Sequence, residues 1–281
     1  MMDPDFINKL QRITLTEEEG EVIKVGVSQR ERVLEECSLS LLGRFLTTRA
    51  FNQRVAKDLL RSVWKMGSDL RIVDVGDDLF QFKFSMESQL KWVLANGLWS
   101  FENHHLALRR WERVMTATSV SFTSMAMWVQ VWGLPFDLLL EEVGRDIGSG
   151  LGEVLDVDLK AFSFDQACFI RVRVELLLDK PLRRGGVVAS PEGDKVYIGF
   201  KYEHLVGLCY QCGRIGHEVR DYSAQRGRKQ GSLPYWEWLK VGHSRNYGYT
   251  NKERRSPKLE KKWSSSFKLE TCHRLIVICH A

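Results

Sequence analysis

Apolar and polar residues alternate along residues 39–115 in an order that predicts six elements. In chain order they are a strand at 39–46, a helix at 55–64, strands at 70–75 and 79–84, a helix at 86–96 and a strand at 105–111. The first helix shows the three- and four-residue apolar spacing of an amphipathic helix, and turn residues separate the two middle strands. The order βαββαβ predicts an α+β fold, a ferredoxin-like or RRM-like sandwich covering residues 35–115.

A second, partial unit follows a Ser/Thr-rich link and covers residues 125–204. Its predicted elements are a strand at 127–135, a helix at 138–147 and strands at 152–160, 168–176 and 195–202. The glycine-rich segment 183–194 is predicted to be a loop. This unit lacks a second helix, so we expect an incomplete βαββ arrangement.

Aromatic residues in these strands could serve either the core or a binding surface. Phe80, Phe82 and Phe84 share one face of their strand, while polar residues occupy the other face. That pattern is typical of a half-buried strand and favours the phenylalanines as core. Trp128 and Trp132 could instead present rings for base stacking, as RRM sheets do. Neither unit has an intact RNP1 consensus, so RNA binding on a sheet stays open.

Charge is distributed unevenly along the 281 residues. After residue 200 there are 16 Lys and Arg against 7 Asp and Glu, whereas residues 1–200 have 25 against 29. An acidic body with a basic end favours a polyanionic partner, although a solvated tail without a partner has the same composition. We expect residues 1–34 to be an N-terminal extension and 225–281 a basic, mostly disordered tail. No signal-peptide pattern or disulfide framework is evident, so we expect an intracellular protein of the nucleus or cytoplasm.

The spacing Cys209-x2-Cys212-x4-His217 is that of zinc ligands. A CCHC knuckle would have its fourth ligand at position 222, where this chain has Tyr222. Tyrosine is a poor ligand at neutral pH, so we expect weakened Zn²⁺ binding, with Asp221 or water as a substitute ligand. The alternative is a pair of buried thiols. We interpret residues 205–224 as a degenerate zinc knuckle.

Aromatic and basic residues surround this motif. Tyr210 would stack a splayed base, and Gly213 and Gly216 would provide the positive φ values that the tight turns need. The cations expected to contact phosphate are Arg214, Arg220, Arg226, Arg228 and Lys229.

Several motifs together resemble a plant family of zinc-knuckle proteins, many related to LINE-type non-LTR retrotransposons, with an N-terminal domain of unknown function. They are LGRFLT at 42–47, FN at 51–52, GDDLFQF at 76–82, NGLWSF at 96–101, WVQVWGLP at 128–135, DKPL at 179–182, the knuckle itself and PYWEWLK at 234–240. The resemblance implies binding of zinc and nucleic acid and no established catalysis. The end of the chain, about 264–281, matches no part of that pattern.

An enzyme and a protein-interaction scaffold are the two alternative functional classes. Against an enzyme, His217-Glu218 lacks the second histidine of a zinc-protease helix, and no P-loop or nucleophile elbow is present. A non-catalytic protein-interaction scaffold is a rival, because the nine tryptophans could anchor an interface, and self-association is left open. A decayed retroelement copy without zinc is a further alternative. We expect a protein that binds single-stranded RNA or DNA with little sequence preference, for packaging or chaperoning.

Overall fold

The computed structural model describes residues 13, 14, 16, 19, 20, 28, 30–158, 169–217 and 233–241. The helices are α1 (Arg30–Ser38), α2 (Gln53–Trp64), α3 (Glu87–Ala95) and α4 (Glu141–Ser149). The strands are β1 (Ser40–Phe45), β2 (Leu70–Gly76), β3 (Leu79–Phe84), β4 (Ser100–Phe101), β5 (His104–Arg110), β6 (Ser124–Trp132), β7 (Glu153–Asp158), β8 (Phe169–Leu177), β9 (Gly185–Ala189) and β10 (Lys195–Tyr202). Within the described part of the chain, no helix is both long and apolar enough to cross a membrane.

The strands form two antiparallel five-stranded sheets with the same topology. The first sheet has the order β2-β3-β1-β5-β4, and the second has the order β7-β8-β6-β10-β9. In both, the first strand of the unit lies at the centre and a hairpin completes one edge. The α+β prediction of RRM-like units is therefore confirmed, and the second unit repeats the sheet of the first more completely than its sequence indicated.

The units differ in the connection that precedes the edge hairpin. In the first unit α3 lies between β3 and β4, whereas the described residues 178–184 between β8 and β9 form no helix. The prediction of a loop over 183–194 was wrong for residues 185–189, because β9 pairs with β10 from Gly185 opposite Gly199 to Ala189 opposite Lys195, whereas residues 190–194 form the turn of this hairpin. The glycines indicated a turn, but pairing with a neighbouring strand outweighs their weak strand propensity.

The core of the first unit lies between its sheet and helices α2 and α3. Phe80, Phe82 and Phe84 are all buried there, packed with Trp64 and Leu90. The prediction that the three phenylalanines are core residues is confirmed. Helix α2 begins where Asn52 caps it by accepting a hydrogen bond from the Val55 N–H, 3.1 Å away.

The opposite face of the first sheet is covered by the chain that leaves it. Leu42 and Leu79 on this face are buried against Val120 of the connection between the units, and Phe122 and Trp111 pack beside them. On the same face the Lys83 ammonium lies 3.4 Å from the Glu36 carboxylate of α1. The first sheet therefore leaves little of this face for a ligand.

In the second unit, α4 packs closely on the buried face of the sheet. A Cβ atom built at Gly148 would lie 2.7 Å from a methyl group of Val172, and one at Gly144 would lie 3.0 Å from Ile170. The two glycines therefore let the helix approach the valine-rich strand β8 at a distance that larger residues would prevent. On the opposite face, Trp238 of the 3-10 helix Glu237–Leu239 lies over Gly199 of β10, and Arg173 of β8 donates to the Leu94 carbonyl of α3 at 3.0 Å. Trp128, Trp132 and Phe169 on the same face are only partly buried.

Candidate metal centre and the open face of the second sheet

The three predicted zinc ligands converge after β10. The potential ligand atoms of Cys209, Cys212 and His217 all lie within 4.8 Å of one another, and Cys212 Sγ is 3.2 Å from His217 Nε2. In a tetrahedral zinc site with sulfur and nitrogen ligands, neighbouring ligand atoms are about 3.5–3.8 Å apart. The donor set and its spacing therefore fit Zn²⁺ after small side-chain adjustments.

Backbone hydrogen bonds shape the turn that holds the two cysteines. The Cys209 N–H donates to the Arg214 carbonyl at 2.9 Å, and the Gly213 N–H donates to the Cys209 carbonyl at 2.8 Å. Gly213 and Gly216 have φ values of +74° and +101°, as their places in the motif predict. Gly213 is also needed for space, because a Cβ there would lie 2.2 Å from the ring of Tyr235.

The thiols are in different surroundings. Cys209 is fully buried, whereas Cys212 is partly exposed. Partial burial and the proximity of Cys209 raise the pKa of the Cys212 thiol, although a hydrogen bond from the Arg214 backbone acts in the opposite direction. The thiol is therefore protonated at neutral pH until a metal displaces the proton.

The fourth-ligand prediction concerns residues outside the described part of the chain. Asp221 and Tyr222 both lie in the segment 218–232, and so do Arg220, Arg226, Arg228 and Lys229. Their roles stay predictions.

Two of the predicted nucleic-acid contacts are described. The Arg214 side chain is exposed beside the metal ligands. Tyr210 is half-buried, its carbonyl accepts a hydrogen bond from the Tyr235 N–H at 3.2 Å, and the Lys240 ammonium lies 5.4 Å from its ring centroid. Tyr210 therefore packs with the segment 233–241, which lies inside the predicted tail.

The knuckle is also held against both units. The Val206 N–H donates to His105 Nε2 of β5 at 3.2 Å, and the Leu182 N–H donates to the Gly213 carbonyl at 2.8 Å. His105 is fully buried, and burial, with smaller contributions from His204 and His104, lowers its pKa to about 3. Its neutral imidazole therefore joins the chain that enters the knuckle to the first sheet.

The second sheet has an aromatic and cationic surface that the knuckle prediction did not include. We call it the open face. It consists of Trp128, Gln130 and Trp132 on β6, Phe169, Arg171 and Arg173 on β8, and Tyr197, Gly199 and Lys201 on β10, which share one side by strand alternation.

Rings and cations on the open face are paired. Trp132 stacks on Phe169 with centroids 4.7 Å apart and an interplanar angle of 29°. The Lys201 ammonium lies 4.7 Å from the Trp132 centroid, and the Arg171 guanidinium lies 4.4 Å from that of Trp128. These distances are those of cation–π contacts, which place positive charge directly beside stacking surfaces.

A carboxylate network fixes the guanidinium of Arg171. Arg171 donates to both oxygens of Glu203, at 2.9 and 2.8 Å, and to Asp158. Gln130 donates to Glu203 at 2.7 Å and accepts from the Trp132 indole N–H at 3.0 Å. Burial lowers the pKa of Arg171, but its hydrogen bonds and attraction to Glu203 and Asp158 outweigh burial and raise it overall. The guanidinium stays charged, and the network holds the two tryptophans in place.

Sequence reasoning identified Trp128 and Trp132 but missed Phe169, Arg171 and Lys201. The signal was available in the alternation Phe169-x-Arg171 and in the matching position of Lys201 on the last strand. It was not recognised because strand alternation shows which residues share a face, but not whether that face is covered.

Comparison with known proteins supports two parts of the resemblance, the N-terminal domain of unknown function and the zinc knuckle. A family model described as a domain of unknown function (DUF4283) matches residues 33–119, and a zinc-knuckle family model matches residues 177–224. An uncharacterized protein of Arabidopsis thaliana is 31% identical over 133 residues, which are 47% of this chain and 42% of that protein. The chain thus spans less than half the length of this relative.

Two solved structures of RNA-binding domains are also similar. One contains the N-terminal three RNA binding domains of the yeast splicing factor Prp24, at 17% identity over 49% of this chain and 55% of that chain, with a TM-score of 0.21. The other is the RNA binding domain of Hrp1 in complex with RNA, at 16% identity over 49% of this chain and 80% of that chain, also with a TM-score of 0.21. Scores this low carry no argument, so the fold assignment rests on the strand order of the two sheets.

Proposed function

We propose that this protein binds single-stranded RNA or DNA with little sequence preference, on the open face of the second sheet beside a zinc-binding knuckle. The observation that carries the proposal is the stack of Trp132 on Phe169 with Lys201 over the same ring. On such a surface the aromatic rings can stack with a nucleotide base, and the adjacent cation can contact the phosphate of that nucleotide.

The chemistry of this surface explains the expected low sequence preference. Each base stacked on an aromatic ring contributes about 1–3 kcal/mol, and every base has a π face. Hydrogen-bonding groups on the face are engaged with each other, since Gln130 and Arg171 both bind Glu203. Few donors and acceptors are left to distinguish one base edge from another.

The second sheet suits this role better than the first. On the first sheet the corresponding face is packed under Val120 and the residues around it. On the second sheet, Trp128, Trp132 and Phe169 are each only partly buried. A strand of nucleic acid can therefore reach rings on the second sheet that have no counterpart on the first.

Zinc binding forms the second part of the proposal. Cys209, Cys212 and His217 would hold the ion, which would supply the cross-link that fixes the turn carrying Arg214. The cations Arg220, Arg226, Arg228 and Lys229 would add phosphate contacts. By analogy with retroelement proteins of the resembled family, we propose packaging or chaperoning of a nucleic acid as the task, without catalysis.

Fluorescence anisotropy with the zinc-loaded full chain tests this function. The probe is a labelled single-stranded oligonucleotide of about 15 nucleotides, which exceeds the site size of many single-strand-binding domains. We expect binding that weakens steeply as salt rises, because phosphate neutralisation releases counterions, and weaker binding to the matching duplex. If the affinity for the single strand did not depend on salt, or if neither an RNA nor a DNA version of this oligonucleotide bound, the proposal would be overturned. A protein-interaction scaffold would then be favoured.

A further inference from the structure

A groove of about 710 Å³ extends the open face beyond β10. One wall is the β9–β10 hairpin, and the other is the segment 233–241, which follows the undescribed part of the knuckle region. Three large apolar side chains around it are exposed: Val187 by 54%, Tyr197 by 82% and Trp236 by 52%. Exposed apolar side chains that cluster in this way are typical of a ligand-binding groove or an interaction surface.

The groove is continuous with the stacked rings of the open face. Gly199 lies opposite Trp132 in the pairing of β10 with β6, and Tyr197 lies on the same side two residues earlier. A Cβ at Gly199 would lie 3.2 Å from the Trp238 ring, so the missing side chain leaves the space that Trp238 occupies. Trp236 follows, with its ring centroid 6.0 Å from that of Trp238. Aromatic rings therefore continue from Phe169 and Trp132 across the glycine to Trp236.

The charge of the groove complements phosphate. Among the described residues that line it, Arg183 and Arg184 are the charged ones, and none is Asp or Glu. Arg184 donates through Nη1 to the Pro234 carbonyl at 2.9 Å, and Arg183 donates through Nη1 to the Gly150 carbonyl at 2.8 Å. A guanidinium has five N–H donors, so both arginines are held in place while further donors face solvent.

We propose that this groove binds one additional nucleotide of the strand that lies on the open face, with its base between Tyr197 and Trp236 and its phosphate on Arg184. The inference rests on the proposed function and gives a role to the PYWEWLK segment. The groove volume is within the range of pockets that bind small ligands. The two arginines, and the lack of Asp and Glu among the described residues of the lining, favour a nucleotide over an apolar protein segment.

The test compares oligonucleotides of increasing length with wild type and a Tyr197→Ala/Trp236→Ala double variant. Trp92→Ala is the matched control, because Trp92 is 40% exposed on α3 of the first unit. Far-UV circular dichroism and melting temperatures verify that all three proteins are folded. We expect the double variant to lose about tenfold in affinity for oligonucleotides of about 10 nucleotides, and to be unaffected for those too short to reach the groove.

The charge is tested separately. Arg184→Gln should reduce the slope of log affinity against log salt by about 1, because one phosphate contact is lost. Equal affinities of wild type and the double variant at every length would overturn this inference alone, whereas failure of wild type to bind any strand would overturn the proposed function as well. A wild-type dimer that the double variant cannot form, detected by sedimentation, would identify the groove as a self-association site and also overturn it.

Discussion

Trp238 lies over Gly199, so that a Cβ on that glycine would come within 3.2 Å of the indole ring. This contact is one of several that join the segment 233–241 to the second sheet, together with a parallel bridge between Tyr202 and Lys240. Close by, Leu239 is fully buried, and the Val241 N–H donates to the Tyr202 carbonyl at 3.2 Å. The segment is therefore part of the folded second unit, and the rings that it carries are placed relative to Trp132.

Gly199→Val should displace the segment. Its branched side chain cannot share the space of the indole, and a valine otherwise suits a strand. We expect a red shift of tryptophan emission and a loss of several-fold in single-strand affinity. Gly186→Val is the control for the emission change alone, since a Cβ at Gly186 meets no atom closer than 3.7 Å but Gly186 lies on the hairpin that lines the groove. Equal emission spectra for the two variants would show that the segment is not fixed by this contact.

Arg171 should be the most important charged residue of the second unit for stability. Arg171→Met would leave Glu203, which is 9% exposed, with Gln130 as its described side-chain partner. We expect the free energy of unfolding to fall by about 2–3 kcal/mol in urea denaturation, because a buried carboxylate loses its counter-ion. Arg145→Met removes an ion pair that is half exposed and should cost below about 0.5 kcal/mol. If both variants lost a similar amount of unfolding free energy, the ion pairs of Arg171 would contribute no more to stability than an exposed ion pair.

Buried His105 predicts a pH dependence of stability. Its pKa is about 3 in the folded protein, against an ordinary value of 6.5, so between these values the unfolded chain binds more protons. Stability should therefore fall as the pH drops below about 6.5, by about 2 kcal/mol from pH 7 to pH 5 for this residue. His105→Gln should be less stable than wild type at pH 7 but should show a shallower loss toward pH 5. Parallel curves for the two proteins would exclude His105 as the source.

Zinc binding should depend on the cysteines of the knuckle and not on cysteines elsewhere in the chain. We expect Cys212→Ser to abolish stoichiometric zinc in a competitive chelator titration, because a thiolate ligand is lost. Cys37→Ser is the control, since Cys37 lies on α1 outside the ligand group. If Cys212→Ser retained wild-type affinity, the three residues would not be the site.

The position of Tyr222 leads to a related prediction. Tyr222→Cys should raise zinc affinity by orders of magnitude, since structural zinc sites derive about 10–16 kcal/mol from a complete ligand set. An unchanged titration would mean that another group already completes the site. In that case Asp221→Ala should lower the affinity of the otherwise wild-type chain.

The sequence predicted most elements of the first unit because its long strands alternate regularly. It missed β4, which has only two residues and is joined to β5 by Glu102 and Asn103, both with positive φ. A strand this short has no periodicity to detect, whereas the similar turn at Asp77 and Asp78 was found because longer strands flank it.

The candidate site was predictable only where its residues lie close together in the sequence. The metal ligands lie within nine residues of one another, so their spacing alone identified them. The open face combines residues from three strands, and Glu203 reaches Arg171 across 32 positions. Such a surface depends on sheet register and on which face the helix covers, which a single sequence does not fix.

The most direct test of the account is the affinity of a labelled single strand for the zinc-loaded full chain with Trp132→Ala, compared with wild type and with Trp92→Ala, by fluorescence anisotropy at two salt concentrations. We predict that Trp132→Ala weakens binding about tenfold or more at both concentrations, because it removes the ring that stacks on Phe169 and contacts Lys201, while Trp92→Ala leaves binding unchanged. Wild-type affinity in a folded Trp132→Ala protein would contradict the account, because the open face would then not be the binding surface.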